Sequence, residues 1–247
     1  MLALLFALLL LPPAEAAARI VSLNLCTDQY LLALAPARAA AVTFLARDPE
    51  LSVMAAAAAG VPTVRADAEA VLAQHPTLVL AGPWGARATL DALARRGVLV
   101  ERINPPTDFA SIRATTRHLG VRLGASARAE ALLAQMDAEL AVPRPAQGRA
   151  IALEPRGLTA GPGSLRDAVL RAAGLANAGD GRHLSLEALA RAPAVLLVVA
   201  PPPPYPARAT EFLAHPVLAH HPRREVPPHL TICGGPWSAG AVALLAR

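Results

Sequence analysis

Short polar groups and a thiol interrupt the first apolar stretch of the chain. In RIVSLNLCTDQYLLALAP, residues 19–36, an apolar run ends at Asn24, Cys26, Thr27 and Asp28, and apolar residues then return at helical spacing. This pattern predicts a buried strand, a polar loop and a helix that Asp28 caps. Asn24 and Thr27 would offer hydrogen-bonding groups to a ligand, with the Cys26 thiol beside them.

The chain contains two cysteines, Cys26 and Cys233, and each follows a short apolar run. A thiolate at a helix N-terminus can act as a nucleophile, so a thiol-dependent α/β enzyme is one interpretation. However, no histidine lies in a matching loop, and GPGSL has the wrong order for a G-x-S-x-G motif. We therefore do not expect an enzyme.

Two tryptophans and two arginines follow predicted strands and are further candidates for ligand contact. Trp84 follows TLVLAGP and Trp237 follows TICGGP, in a chain with only 3% aromatic residues. Flat indole surface suits a macrocycle or aromatic chelate, although packing in the core or between lobes is the alternative for both. Arg65 and Arg156 would suit an anionic ligand, with a solvated surface position as the alternative.

Composition argues against nucleic-acid binding and membrane insertion. All 23 basic residues are Arg and the net charge is +5, yet the arginines are scattered singly and aromatics that could stack on bases are scarce. LALLFALLLL followed by PPAEAAA predicts a cleaved signal peptide over residues 1–18, and the apolar run is too short to span a bilayer. We expect a soluble protein exported to the periplasm.

The remaining chain alternates short apolar runs with helical segments, which is typical of β-α-β units around parallel sheets. In DAEAVLAQHPTLVLAGPW, for example, Asp67 is a predicted N-cap and Pro76 ends the helix before the strand. A helical period persists over residues 108–140, and Gly120 and Gly124 are expected to divide it. The predicted strands cover residues 20–23, 40–44, 62–64, 77–81, 98–101, 150–153 and 195–200.

We therefore predict an α/β fold with two lobes, whose parallel-type sheets are joined by a lobe-crossing α-helix over residues 126–140. That helix would be about 22 Å long at 1.5 Å per residue. The predicted organisation is a signal peptide (1–18), an N-terminal α/β lobe (19–107), a helical backbone and linker (108–147) and a C-terminal α/β lobe (148–247).

Five segments in order resemble periplasmic substrate-binding proteins with a helical backbone, the ABC-importer group for vitamin B12 and iron-siderophores. They are RIVSLNLCTDQYLLAL, DAEAVLAQHPTLVLAG, LGVRLGASARAEALLAQMDAEL, TAGPGSLRDAVLRAAGLANAG and HLSLEALARAP. The resemblance implies a monomer that binds a small-molecule metal chelate between its lobes and delivers it to the ABC transporter permease in the inner membrane. It implies no cofactor, since the ligand is itself a cobalt or iron chelate; cobalamin and ferric siderophore are favoured equally, with haem after them.

The resemblance also assigns permease docking to one acid in each lobe, Glu69 and Glu187. They lie seven and six residues before Pro76 and Pro193, respectively. The alternative is that each acid only stabilises the N-terminus of its helix.

Other functions of this fold remain open. A solute sensor could share it without transport. A related branch binds bare zinc or manganese through histidines, but no histidine lies in the loops at Asn24, Val64 or Ala81, so we expect no metal site.

A disulfide between Cys26 and Cys233 is possible in an oxidising compartment. Because the resemblance places their strands in different lobes, two separate thiols near the cleft are preferred.

Overall fold

Two four-stranded sheets, each with all its strands parallel, form the framework of the protein. The structure is a computed structural model that describes residues 18–202 and 208–247. The predicted signal peptide, apart from Ala18, and part of PPPPYP lie outside these residues. The first sheet has the order β2-β1-β3-β4 and the second β6-β5-β7-β8. The strands are Ile20–Ser22 (β1), Ala39–Ala41 (β2), Leu78–Ala81 (β3), Leu99–Arg102 (β4), Gly148–Ala152 (β5), Leu175–Asn177 (β6), Leu196–Val199 (β7) and Arg223–Glu225 (β8).

The predicted α/β fold class is confirmed, and two edge strands are added to it. Strands β6 and β8 were not predicted, because each is only three residues long at an edge of the second sheet and neither forms an apolar run. The predicted strand at residues 62–64 is reduced to a single bridge between Val42 and Thr63. In the central strands, alternate residues enter two different cores, so helices and loops cover both faces of each sheet.

Helices connect the strands. Asp67 caps its helix as predicted, since its side chain accepts a hydrogen bond from the backbone N–H of Ala70. The helices are Leu25–Leu34 (α1), Ala55–Ala58 (α2), Ala68–Leu72 (α3), Arg87–Arg95 (α4), Phe109–Arg122 (α5), Ser126–Leu140 (α6), Leu165–Ala172 (α7), Leu186–Arg191 (α8) and Ala239–Leu245 (α9).

The predicted lobe-crossing helix is α6, and α5 crosses beside it to form a helical hairpin. Leu119 of α5 and Ala129 of α6 belong to a core of the first lobe, whereas Ile112 and Leu133 belong to a core of the second. Gly120 does not end α5. It lies inside the helix, where a Cβ atom would come within 2.6 Å of the Ala129 Cβ, so its role is close helix packing.

A disulfide joins Cys26 to Cys233, with their Cα atoms 5.2 Å apart. The expectation of two separate thiols is therefore wrong. The reason is that, although α9 packs in a core of the second lobe, the chain between β8 and α9 reaches the first lobe. There the Trp237 ring lies 5.3 Å from the Tyr30 ring, measured between centroids.

Asp28 is buried and anchors the loop after β2, instead of capping α1. The cap is Asn24, whose side-chain oxygen accepts a hydrogen bond from the Cys26 N–H at 2.9 Å. The Asp28 carboxylate accepts hydrogen bonds from the Thr43 N–H at 3.2 Å and the Thr43 hydroxyl at 2.5 Å. Burial raises the pKa of Asp28 from 3.8 to about 7, although hydrogen bonds from Ser22 and Thr43 act in the opposite direction.

The substitution Asp28→Asn should remove a pH dependence of stability. Because folding raises the pKa, Asp28 contributes stability that is fully present below about pH 4 and is lost as the pH rises to about 7. Within that window the free energy of unfolding of the wild type should fall, relative to that of the variant, by up to about 1.4 kcal/mol per pH unit. Urea denaturation at several pH values measures this, with the exposed Asp91→Asn as control. Parallel curves for wild type and Asp28→Asn would contradict the assignment.

Candidate functional site

The loops that follow the strands of both sheets meet where the two lobes face each other. The disulfide brings Cys26, four residues beyond β1, together with Cys233, eight residues beyond β8. In parallel α/β sheets, ligands bind in the crevice outside the carboxyl ends of the strands. We therefore place the candidate cleft at this boundary.

In the first lobe, Asn24 occupies the centre of this edge, because β1 lies between β2 and β3. Its amide packs over Gly82, where a Cβ atom would lie 2.9 Å from the Asn24 Nδ2. Thr27 is buried beneath the loop: its hydroxyl lies 2.7 Å from the Ser22 hydroxyl and donates to the Asn24 carbonyl at 3.0 Å. Asn24 is thus partly accessible, whereas the hydroxyl of Thr27 is already engaged within the protein.

The disulfide removes the chemistry that a thiol would bring to this site. Cys26 is half-buried and Cys233 is buried, and both sulfurs are bonded to each other. A thiolate nucleophile is therefore absent from the oxidised protein.

Two exposed aromatic side chains follow the strands on either side of β1, the strand that precedes Asn24. Phe44 follows β2 and is 72% exposed, and Trp84 follows β3 and is 79% exposed. The sequence places Phe44 at the end of a predicted strand, so its exposed position beyond β2 is a finding of the structure. Trp237 is instead half-buried against Tyr30, which corresponds to the packing alternative.

Arg156 lies in the loop after β5 and is held in an unusual backbone conformation. Its φ angle is +63°, and its carbonyl oxygen lies 3.2 Å from Nδ1 of His183. Since a carbonyl can only accept, Nδ1 donates this hydrogen bond, which does not engage Nε2. Both side chains are exposed. Arg65 is also exposed, in the first lobe between Val64 and α3.

A charged pair that sequence reasoning missed lies at the carboxyl ends of β5 and β7. The guanidinium of Arg166 pairs with the Glu154 carboxylate, and its Nε donates to the Thr231 hydroxyl at 3.3 Å. Burial lowers the pKa of Arg166 to about 10, so it stays charged at neutral pH. Both side chains border a cavity of about 30 Å³, which is room for about two water molecules. An arginine near a helix start gives no sequence signal of burial.

Glu69 and Glu187 occupy equivalent positions in the two lobes. Asp67 caps α3 and Ser185 caps α8, and each glutamate is the second residue of its helix. The helices precede β3 and β7, which hold the same place in the two sheets. Both glutamates are exposed. The pKa of Glu187 is lowered by a hydrogen bond from its own backbone N–H and then by the Ser185 hydroxyl.

Within the described ranges, no cluster of three or more His, Cys, Asp or Glu side chains could hold a metal ion. In the same part of the chain, every helix is too short or too polar to cross a lipid bilayer.

Comparison with known proteins identifies the family. The family model described as periplasmic binding protein matches residues 20–222. A comparison with curated proteins finds no match. Among solved structures, the periplasmic heme-binding protein RhuT from Roseiflexus sp. RS-1 in apo form is 25% identical, with a TM-score of 0.70 over 93% of this chain and 97% of RhuT.

Two further structures share the fold at lower identity. The periplasmic heme-binding protein BhuT in complex with two hemes is 22% identical, with a TM-score of 0.69 over 93% of this chain and 96% of its own. The periplasmic heme-binding protein HutB of Vibrio cholerae is 20% identical, with a TM-score of 0.71 over 92% and 97%. The match over residues 20–222 shows that the chain belongs to the periplasmic binding protein family that its sequence resembles.

Proposed function

We propose that the protein is the periplasmic substrate-binding component of an ABC importer, and that its ligand is a flat, anionic metal chelate, most simply haem. The observation that carries this proposal is the pair of exposed aromatic side chains, Phe44 and Trp84, which follow the two strands that neighbour β1. Burial of such surfaces against a flat apolar ring is favourable, and the rings add directional stacking.

We propose haem as the ligand ahead of cobalamin and ferric siderophore, which the sequence alone favours. Haem combines a flat apolar ring with two carboxylates, and the exposed guanidinium groups of Arg65 and Arg156 suit carboxylates. The solved structures described above are haem-binding proteins, and RhuT at 25% identity covers nearly the whole chain. Both lines of support point to the same class of ligand.

His183 is the candidate axial ligand of the haem iron. Haem iron in proteins is held by His, Cys, Met or Tyr side chains. Among residues 18–202 and 208–247, neither cysteine is free, and Tyr30 is buried behind Trp237. The His183 ring is exposed, and its Nδ1–H is held by the Arg156 carbonyl, which leaves Nε2 for the metal.

Delivery to a permease is proposed to use Glu69 and Glu187. Their equivalent, exposed positions give one carboxylate in each lobe at the start of a capped helix. Carboxylates of this kind suit arginines of a partner. A solute sensor with the same fold would need no such contact, so transport assays separate the two functions.

Loss of either exposed aromatic ring should weaken haem binding. We expect Phe44→Ala and Trp84→Ala each to raise the Kd for ferric haem about tenfold, which corresponds to about 1.4 kcal/mol of lost contact. Titration followed by haem absorbance and by quenching of Trp emission measures this. Val121→Ala is the matched control, because Val121 is 73% exposed on α5. Equal affinities of all three variants and the wild type would refute the proposed aromatic site.

Removal of the His183 ring should change the iron coordination. The substitution His183→Ala is expected to shift the Soret band and alter the electron paramagnetic resonance spectrum of bound ferric haem. His75→Ala is the control, because His75 precedes β3 at the opposite edge of the sheet. If both variants keep the wild-type spectrum, His183 is not the axial ligand.

Charge reversal at both glutamates should abolish transport and leave haem affinity intact. The double variant Glu69→Arg/Glu187→Arg is compared with Asp91→Arg, which reverses an exposed charge on α4. Uptake in cells and the Kd of purified protein are both measured. Normal uptake by the double variant would contradict the docking role.

A further inference from the structure

We propose that the Cys26–Cys233 disulfide and residues 229–238, here called the clamp, fix the separation of the two lobes and thereby hold the cleft in its binding arrangement. The inference rests on the proposed function only for the choice of ligand in the binding experiment. The clamp itself is a property of contacts between the lobes.

The disulfide lies beside Asn24 at the candidate cleft. Cys26 is the second residue of α1, and its N–H is held by the side chain of Asn24, the polar group at the centre of the first sheet edge. Cys233 is fully buried and belongs to the chain that follows the second sheet. A covalent bond therefore connects the second lobe to the residue next to the candidate ligand-binding loop.

Non-covalent contacts of the clamp lie on both sides of the disulfide. On the carboxyl side, Trp237 packs against Tyr30 of α1, and its Nε1–H donates to the Cys233 carbonyl at 3.1 Å. On the amino side, Nδ1 of His229 donates to the Pro49 carbonyl at 3.1 Å.

Two glycines allow the clamp to approach so closely. A Cβ atom at Gly234 would lie 2.6 Å from the Pro106 carbonyl oxygen. A Cβ atom at Gly235 would lie 2.2 Å from the Trp237 ring. Larger residues would therefore push the clamp away from the first lobe or displace the tryptophan.

The clamp adds a second attachment to the one that the α5–α6 hairpin supplies. With the hairpin alone, the lobes could rotate about the helices, whereas a second covalent attachment at the cleft opposes that rotation. A site that is already arranged for its ligand loses less conformational freedom on binding. If the lobes sample open arrangements, the apparent affinity falls by the fraction of molecules that are competent to bind.

The test compares oxidised wild-type protein with the double variant Cys26→Ser/Cys233→Ser. Ferric haem is the binding probe, and hydrogen exchange followed by mass spectrometry reports on the lobes without ligand. We expect the Kd to rise about tenfold. Backbone protection should be lost in residues 229–238 and at the start of α1, while the central strands β3 and β7 keep theirs.

A matched control separates lobe positioning from simple loss of stability. Leu90 is buried in α4 and packs in a core of the first lobe that the clamp does not enter. Leu90→Ala should destabilise the protein while the disulfide, the haem affinity and the protection of the clamp stay unchanged. If the cysteine variant fails to fold, the same measurements are made on folded wild type after reduction.

Unchanged hydrogen exchange in residues 229–238 without the disulfide would refute the clamp. A loss of haem affinity that Leu90→Ala reproduces would also refute it. A loss of protection with unchanged haem affinity would overturn its positioning role. If oxidised wild type does not bind haem, the proposed ligand is wrong, and hydrogen exchange still decides whether the lobes are clamped.

Discussion

All strands in each sheet run parallel, and the rest of the structure depends on this constraint. Parallel strands end at one edge, so the loops that follow β1, β2 and β3 gather there, and those that follow β5, β6, β7 and β8 gather at the corresponding edge of the second sheet. Both faces of each sheet are occupied by apolar cores. The loops at these edges are where accessible polar and aromatic groups can face the boundary between the lobes, and the proposed ligand contacts Asn24, Phe44 and Trp84 follow β1, β2 and β3.

The two lobes keep their separate sheets while sharing other parts of the chain. Helices α5 and α6 each contribute side chains to both lobes, and Arg113 and Asp137 pair between them with an Nε–Oδ1 distance of 2.9 Å. The chain returns to the first lobe through Cys233 and Trp237, before α9 packs in a core of the second lobe. The boundary between lobes is therefore crossed by packed side chains as well as by backbone.

The central strands and the fold class could be predicted from the sequence, because strands buried on both faces read as apolar runs such as LVLA and LLVV. The edge strands β6 and β8, LAN and RRE, contain too few apolar residues to give this pattern. The sequence pattern places Phe44 in a predicted strand, because an apolar residue close to an apolar run gives no sign of where the strand ends. Its exposure depends on Asp28, which holds Thr43 from another element.

The cysteine pairing could not be predicted for a related reason. Assigning each cysteine to the lobe of its own strand assumes that the chain stays in that lobe. The return of residues 229–238 depends on packing between Tyr30 and Trp237, more than 200 residues apart, and on glycines that permit close approach. Local sequence patterns contain none of this information.

The position of Trp237 also has a consequence for the order of folding. Its ring packs against a core of the first lobe that is otherwise built from residues before the end of α6. Contacts at such large sequence separation form late, because a long loop must close before they are made. The first lobe therefore reaches its final packing only when Trp237 is present. During synthesis from the N-terminus, the strands of both sheets are made before Trp237, the residue that completes the packing of the first lobe.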